Sequence, residues 1–375
     1  MASETDTPDP RLAPIYAILE SANLDAVAFV PGPNFQRIFG ANFHLMERPL
    51  VVVVPRIGQP TAIVPDLEMA SFEKLKFPGH AFSWKDETGY AGAFKQTSDT
   101  LPALKDTKRI GLEAQRMRVF EQMALQTAFP KAEFVDAHAA ISSIRLEKTQ
   151  QEIDLLKRAI QISEAALEAT LQQVEIGQTE KQVEAILLNE LFSHGADGLA
   201  FDPIVAAGDN SAEPHASARA DYKIQSGDAL LFDFGASWQG YNADITRTFF
   251  VGGVSDHDRA FYDTVLAANR RGREISRAGK SAHEIDDAVQ LVLENSQFAA
   301  FRVHKTGHGL GLDVHEAPQI MRGNHQELTA GMVYTVEPGL YRPGECGVRI
   351  EDDVVVTETG IECLTSFPRE LRIIG

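Results

Sequence analysis

Four carboxylates and an imidazole in the second half of this 375-residue chain have the types and spacing of a metal centre. Asp233 and Asp244 flank the stretch FGASWQGYNA, and a tight turn over residues 237–240 would set the two carboxylates directly opposite each other in a hairpin. Opposed residues on one face of an antiparallel pair hold their Cβ atoms about 4.5–5.5 Å apart, where two like charges destabilise the pair unless a cation lies between them. Glu337 and Glu351 repeat the arrangement in TVEPGLY and GVRIED, around Pro343, Gly344 and Gly347 with position 344 at the centre. One acidic pair on a strand is ordinary surface. Two pairs with apolar neighbours point to a site that is built for cations.

The imidazole is His308, in HKTGHGLGLDVHE, where Gly307, Gly309 and Gly311 remove side-chain bulk and let backbone and ligands approach closely. His304 and His315 fall within the same stretch. Carboxylate oxygens and an imidazole nitrogen suit hard or borderline divalent ions, with manganese first and cobalt, zinc or iron also accommodated, rather than a thiolate-preferring metal. Two such ions carry +4 and balance four carboxylates, so the charge count favours a two-metal centre.

These residues sit on well-marked strands, DALLFDFGA, YNADITRTFFV, GMVYTVEPGLY and GVRIEDDVVVTETG. Helices must position the strands. Apolar spacing predicts one over residues 151–174, a second over 179–191 opened by Thr179 and stopped at Gly195, a third over 256–277, and a fourth over 281–295 with Ser281 and Glu284 as a capping box. Upstream, residues 10–140 alternate helices and strands: 11–22 helical, apolar runs at 24–30, 49–54, 61–64 and 109–112, and a helix at 118–129 with Phe120, Met123, Ala124 and Ala128 on its buried face. This is an α/β pattern, and it predicts two domains, residues 1–144 and 145–375.

Composition narrows the function classes. The formal charge of −18 repels phosphate backbones and anionic lipid surfaces, and part of the negative excess belongs to a cation site. Nucleic acid is excluded as a partner. No apolar run reaches the roughly 18 residues needed to span a bilayer, and the acidic, proline-bearing start MASETDTPDPRLAP lacks the basic and apolar pattern of a secretory signal, so the cytoplasm is expected. Cys346 and Cys363 are too few for a disulfide framework and are expected to be inert. His44, His80, His138, His194, His257, His283 and His325 lack motif context and are assigned ordinary roles, and the segment FVPGPNFQRIFGANF is assigned to packing.

With these segments in hand, the chain resembles the pita-bread metallopeptidases, the group of methionine aminopeptidase, aminopeptidase P and prolidase. FDPIVAAGDNSAEPHA, DFG followed by GYNADITRTF, GHGLGLDVHE, TVEPGLY and VRIEDDVVVTETG occur in that family's order and spacing. An α/β domain ahead of the catalytic one resembles aminopeptidase P, prolidase and creatinase. The resemblance implies that Asp233 chelates one ion, that Asp244 and Glu351 bridge both, and that His308 and Glu337 complete the second. It further implies that His215 binds substrate, that His315 steadies the scissile carbonyl, that Glu337 moves the proton, and that Arg349 and His304 support the site. Two ions would acidify a water between them and polarise the carbonyl of an Xaa-Pro bond in a di- or oligopeptide. A homodimer is implied as well. Two alternatives stand beside this reading: a small non-peptide amide substrate of the creatinase or ectoine hydrolase type, and a silent binding module, against which all five ligand positions are filled. Some prolidases carry an arginine at the position of Gln319 to grip the free carboxylate of a dipeptide; Arg322 is the expected substitute here.

Overall fold

The computed structural model describes residues 9–106 and 108–375 and divides the chain into two compact units, Met1–Arg145 and Leu146–Gly375. In the first, the apolar runs become a six-stranded sheet: β1 (Ala26–Phe29), β2 (Val51–Pro55), β3 (Thr61–Pro65), β4 (His80–Trp84), β5 (Arg109–Leu112) and β6 (Glu133–Asp136), in the order β4-β3-β2-β1-β5-β6. It is a mixed sheet, with β1 antiparallel to β2 and parallel to β5. Alternate side chains enter two separate cores: Val27, Phe29, Val52 and Val54 one, Ala28, Val53 and Ile63 the other. Because both faces are covered, the central strands read as continuous apolar runs.

The helices of this unit are α1 (Ala13–Ser21), α2 (Pro33–Phe39), α3 (Met69–Phe72), α4 (Ala91–Thr100), α5 (Val119–Ala128) and α6 (His138–Ser142). The segment assigned to packing behaves so: the rings of Phe35 and Phe39 of α2 pack at a tilt with centroids 4.9 Å apart, and Phe39 stacks on Phe29. Ala124 and Ala128 of α5 pack against the core as expected, and the correction concerns Met123. Glu121 and Leu125 are buried, whereas Met123 is 61% exposed. The Glu121 carboxylate turns back to accept from the Arg118 backbone N–H at 2.9 Å, so the first turn buries a capping acid where periodicity alone would place an apolar residue.

The second unit uses four helices, α7 (Gln150–Leu171), α8 (Glu180–Ser193), α9 (Asp256–Ile275) and α10 (Ala282–Glu294). Each expected cap is in place. Thr179 accepts from the Gln182 N–H at 3.2 Å, and Ser281 and Glu284 form a reciprocal box at 3.2 and 2.9 Å. The strands are β7 (Gly198–Leu199), β8 (Ile204–Ala207), β9 (Ala229–Phe234), β10 (Ala236–Trp238), β11 (Tyr241–Asn242), β12 (Ile245–Val251), β13 (Gly307–Gly309), β14 (Glu316–Ile320), β15 (Val333–Val336), β16 (Gly339–Arg342), β17 (Cys346–Arg349), β18 (Asp352–Val356), β19 (Ile361–Cys363) and β20 (Ile373–Ile374). Helices α7 and α8 pack through Ala166, Leu167, Val183 and Leu187 onto the sheet β20-β12-β9-β8. On the other sheet, β14-β13-β15-β18-β19, Ile285 of α10 meets Ile320, Tyr334 and Val354.

The two acidic hairpins differ in register. Across Gly344 the pairing runs Gly339↔Arg349 on one side and Val336↔Asp352 on the other, so Glu337 and Glu351 face each other in the gap between two ladders, as their spacing requires. The other hairpin is displaced from expectation. Its turn is Gln239-Gly240, both at positive φ (50° and 83°), and Asp233 pairs with Thr246 instead of Asp244. A two-residue turn with both φ positive matches the strand twist, and it moves the centre of the hairpin one residue along from the turn expected at 237–240. Asp244 is then the diagonal neighbour of Asp233. A slip of two leaves a side chain on the same face, so the two carboxylates still meet.

Candidate metal centre

Five side chains converge where these strands meet, in a cavity of about 540 Å³ lined by Asp233, Asp244, His308, Glu337 and Glu351 together with His215, His304, Lys305, His315 and Arg349. One ligand atom each from Asp244, His308 and Glu351 lies within 4.8 Å of the other two, and all three residues are buried. His308 Nε2 is 3.2 Å from Glu337 Oε1 and 3.6 Å from Asp244 Oδ2. Its Nδ1 lies 3.2 Å from the Gly309 carbonyl, which can only accept; Nδ1 therefore carries a proton, and Nε2 faces the carboxylates. The flanking glycines admit this strand: a Cβ on Gly307 would lie 1.9 Å from the Thr335 carbonyl oxygen, and one on Gly309 2.1 Å from that of Ala317.

Without a cation the centre is electrostatically frustrated. Burial, followed by the neighbouring carboxylates, pushes Asp244 and Glu351 well above the usual carboxylate range. Asp233 is raised too, chiefly by burial and against the opposing charge of Arg349. Burial also works against an ionised Glu337, but its hydrogen bond to His308 and the charges of His308, His304 and Arg349 outweigh this and hold it at about 2. Four carboxylates packed this way cannot all ionise by themselves. Asp233 Oδ1 is buried with no hydrogen-bond partner, a lone pair whose isolation costs on the order of 1–3 kcal/mol unless a ligand fills it. Divalent cations fit this donor set on both counts.

The surrounding contacts tie the two hairpins together. Arg349, buried on β17, donates through Nη2 to Asp233, through Nε to Thr246 Oγ1 at 3.0 Å, and through Nη1 to the Tyr341 hydroxyl at 2.6 Å. Thr246 in turn donates to Glu351 Oε2 at 2.5 Å. Tyr341 donates to His304 Nε2 at 2.8 Å, and His304 Nδ1–H donates to the Lys305 carbonyl at 2.8 Å. Both nitrogens of His304 are thereby engaged, and burial lowers its proton affinity. His304 and Arg349 are thus engaged with the residues around the site. His215 and His315 are different, since both are exposed at the cavity wall. The His315 ring lies 4.1 Å from that of His308, and its pKa is lowered by burial and then by the charges of His308 and Lys305.

The sequence reading missed several supporting residues. Thr246 would have emerged once the correct register placed it opposite Asp233. Tyr341 lies within the quoted TVEPGLY stretch and has no signal of its own. Asp353, which accepts the Asp244 N–H at 3.2 Å, looked like one more acid on a strand. Arg322 is a correction: its guanidinium is held by Glu294 at 2.6 and 3.0 Å and by Asp287 at 2.9 Å, and it does not line the cavity. His194, His257, His283 and His325 stand apart from the cavity; His257 accepts from Arg342 and His283 from the Gly323 N–H. Burial pushes the thiols of Cys346 and Cys363 up to about 12 and about 11, consistent with unreactive free cysteines.

A helix-flanked sheet pair carrying a buried acidic cluster with a histidine beside it suits a hydrolytic metalloenzyme, and the chain belongs to metallopeptidase family M24, whose model matches residues 154–358. Residues 11–146 match the creatinase/prolidase N-terminal domain. Over 368 residues, 98% of this chain and 99% of the relative, it is 32% identical to the Xaa-Pro dipeptidase of Pyrococcus horikoshii. Among solved structures, prolidase from Thermococcus sibiricus superposes with a TM-score of 0.91 at 31% identity, covering 99% of this chain and 100% of that one. The X-Pro aminopeptidase from Thermotoga maritima superposes with a TM-score of 0.80 at 30% identity, covering 96% and 98%.

Proposed function

We propose that this metallopeptidase hydrolyses Xaa-Pro bonds with two divalent ions held by Asp233, Asp244, His308, Glu337 and Glu351. The observation that carries the reading is the convergence of all five side chains on one cavity, in a chain that aligns end to end with Xaa-Pro dipeptidases. When bound, the ions supply Lewis acidity, making a water acidic and a carbonyl electrophilic. The chain's own residues do the rest. Glu337, whose carboxylate lies 3.2 Å from His308 Nε2, takes a proton from the attacking water and returns it to the departing nitrogen. His315 and His215, exposed at the wall, donate to the carbonyl oxygen as charge develops there. Phe201, Ile204, Pro214, Val314 and Met321 give the cavity an apolar side suited to a pyrrolidine ring, whose tertiary amide has no N–H to bind.

Manganese is the preferred ion on the oxygen-rich donor set, with cobalt, zinc and iron as competitors. Residues 1–144 and 145–375 are taken as the amino-terminal and catalytic domains, supported by the break between compact units at Arg145 and Leu146. A homodimer in the cytoplasm completes the proposal; among the described residues no helix is long and apolar enough to cross a membrane. The small-amide alternative is not favoured, because the relatives aligned over the full chain are peptidases. The test uses metal-stripped protein reloaded with manganese, cobalt or zinc and offered Ala-Pro, Ala-Pro-Ala and Ala-Ala. Cleavage of the proline peptides alone is expected. Cleavage of none sinks the proposal.

A further inference from the structure

Most cationic groups on the cavity wall are already committed. Arg349 serves Asp233, Thr246 and Tyr341, both nitrogens of His304 are occupied, and His308 faces Asp244 and Glu337. Lys305 is the exception. Lys305 lines the cavity half-buried, and its ammonium donates to the side-chain oxygen of Gln319, a neutral acceptor. Among the described residues no carboxylate pairs with it, in a chain where acids outnumber bases 53 to 35. An ammonium has three donors, and Gln319 uses one. A half-desolvated cation without a counter-ion is costly unless its partner arrives with a ligand.

The position of this cation relative to the centre is set by strand pairing. Gln319 lies directly opposite His308 in the β13–β14 ladder, so the two side chains share a face with Cβ atoms about 4.5–5.5 Å apart. The Gln319 amide is itself fixed, its Nε2 donating to the Glu316 carbonyl at 2.9 Å, which turns its oxygen towards Lys305. In a peptide whose scissile carbonyl sits at the ligand cluster, the leaving residue continues through N and Cα, and its carboxyl carbon lies within roughly 4 Å of the scissile carbon. One cross-strand step from His308 matches that span. In a dipeptide the group there is a free carboxylate, and in a longer peptide it is a neutral amide.

We propose that Lys305, oriented by Gln319, binds the free α-carboxylate of a dipeptide and so selects dipeptides over longer Xaa-Pro peptides. This rests on the Xaa-Pro reading above and deepens it. Charge-assisted hydrogen bonds of this kind are the strong ones and discriminate a carboxylate from an amide.

The test compares kcat/KM for Ala-Pro and for Ala-Pro-amide in manganese-loaded wild type, Lys305→Met and Lys305→Arg. The wild type is expected to prefer Ala-Pro. In Lys305→Met the ratio of the two values should fall about 10- to 100-fold, mainly through KM for Ala-Pro, as expected when a hydrogen bond to a charged group is lost. Lys305→Arg should recover much of the ratio. An unchanged ratio in Lys305→Met overturns the assignment while leaving the Xaa-Pro reading intact. Cleavage of neither substrate by the wild type overturns that reading and this inference with it. A second measurement needs no variant: proline should inhibit the wild type more strongly than prolinamide, and equal inhibition also overturns the assignment.

Discussion

The two acidic hairpins bring carboxylates to the same cavity by different means. Around Gly344 the carboxylates of Glu337 and Glu351 face each other in a gap between two ladders, and their opposition follows from simple counting about the turn. Around Gln239-Gly240 the carboxylates of Asp233 and Asp244 are diagonal, and Asp233 faces Thr246. The direct pair is held apart by the protein in charge state, Glu337 at about 2 and Glu351 well above the usual range. In the diagonal pair both members are raised, Asp244 the more strongly. The offset pair also has a cation at one member, Arg349 at Asp233, yet burial still leaves that member raised, whereas Glu337, facing His308, His304 and Arg349, is lowered.

The comparison can be broken most directly at Asp244. Asp244→Asn should abolish peptide cleavage and lower bound metal measured by elemental analysis, and full metal content with normal turnover would end the claim that the diagonal pair depends on an ion. His315→Ala should keep its metal yet lose about 10²–10³ in kcat, as removal of one oxyanion donor does; strong metal loss would move His315 into the ligand set. Thr246→Val, which cuts the link between Arg349 and Glu351, should weaken metal affinity about 10- to 100-fold in a competition titration. An unchanged affinity would mean that the hairpins do not tune each other.

A pH series sharpens the same contrast. Carboxylates raised in the folded metal-free protein favour the folded state at low pH, and that stability is lost as pH climbs from the ordinary range near 4 towards the raised values of Asp244 and Glu351. Glu337 acts oppositely, its contribution disappearing only as pH falls through about 2. The thermal stability of stripped protein should therefore fall with rising pH, and metal should cancel the trend by expelling the protons. A flat profile without metal would contradict the charge states assigned to the two pairs. The smallest effect concerns the turns: Gly240→Ala and Gly344→Ala, at φ 83° and 75°, should each cost about 1–2 kcal/mol in denaturant unfolding with metal content retained.

Much of the site was legible because its chemistry is carried by residue types that are costly elsewhere. Buried acids in apolar strands and a histidine between glycines have few uses other than the one they serve. The helices of the second unit were legible through caps such as Ser281 and Glu284. What escaped was set by tertiary context. Gln239 at positive φ gives no Asn-Gly or Asp-Gly signal, so the turn was centred one residue early and Thr246 was overlooked. On α5 only Met123 departs from the expected inward face, where Glu121 is buried by a cap rather than by apolarity. Arg322 carries the charge expected of a carboxylate grip, but Glu294 and Asp287 claim it, and only the folded strand pairing brings Lys305 to Gln319.

The bond from Arg349 to Asp233 spans 116 positions of sequence, and that from Thr246 to Glu351 spans 105. Contacts of such separation are slow to form, because a long loop must close before either partner is rewarded. The acidic side chains on the two hairpins can come together only after both have folded and docked. With the proposed ligand set, metal capture would then be a late event in the life of a newly made chain, and a molecule that has acquired its ions would already have passed an inspection of its topology. Metal occupancy across a preparation would accordingly count correctly assembled molecules, including those that a bulk helix signal cannot tell from their misfolded siblings.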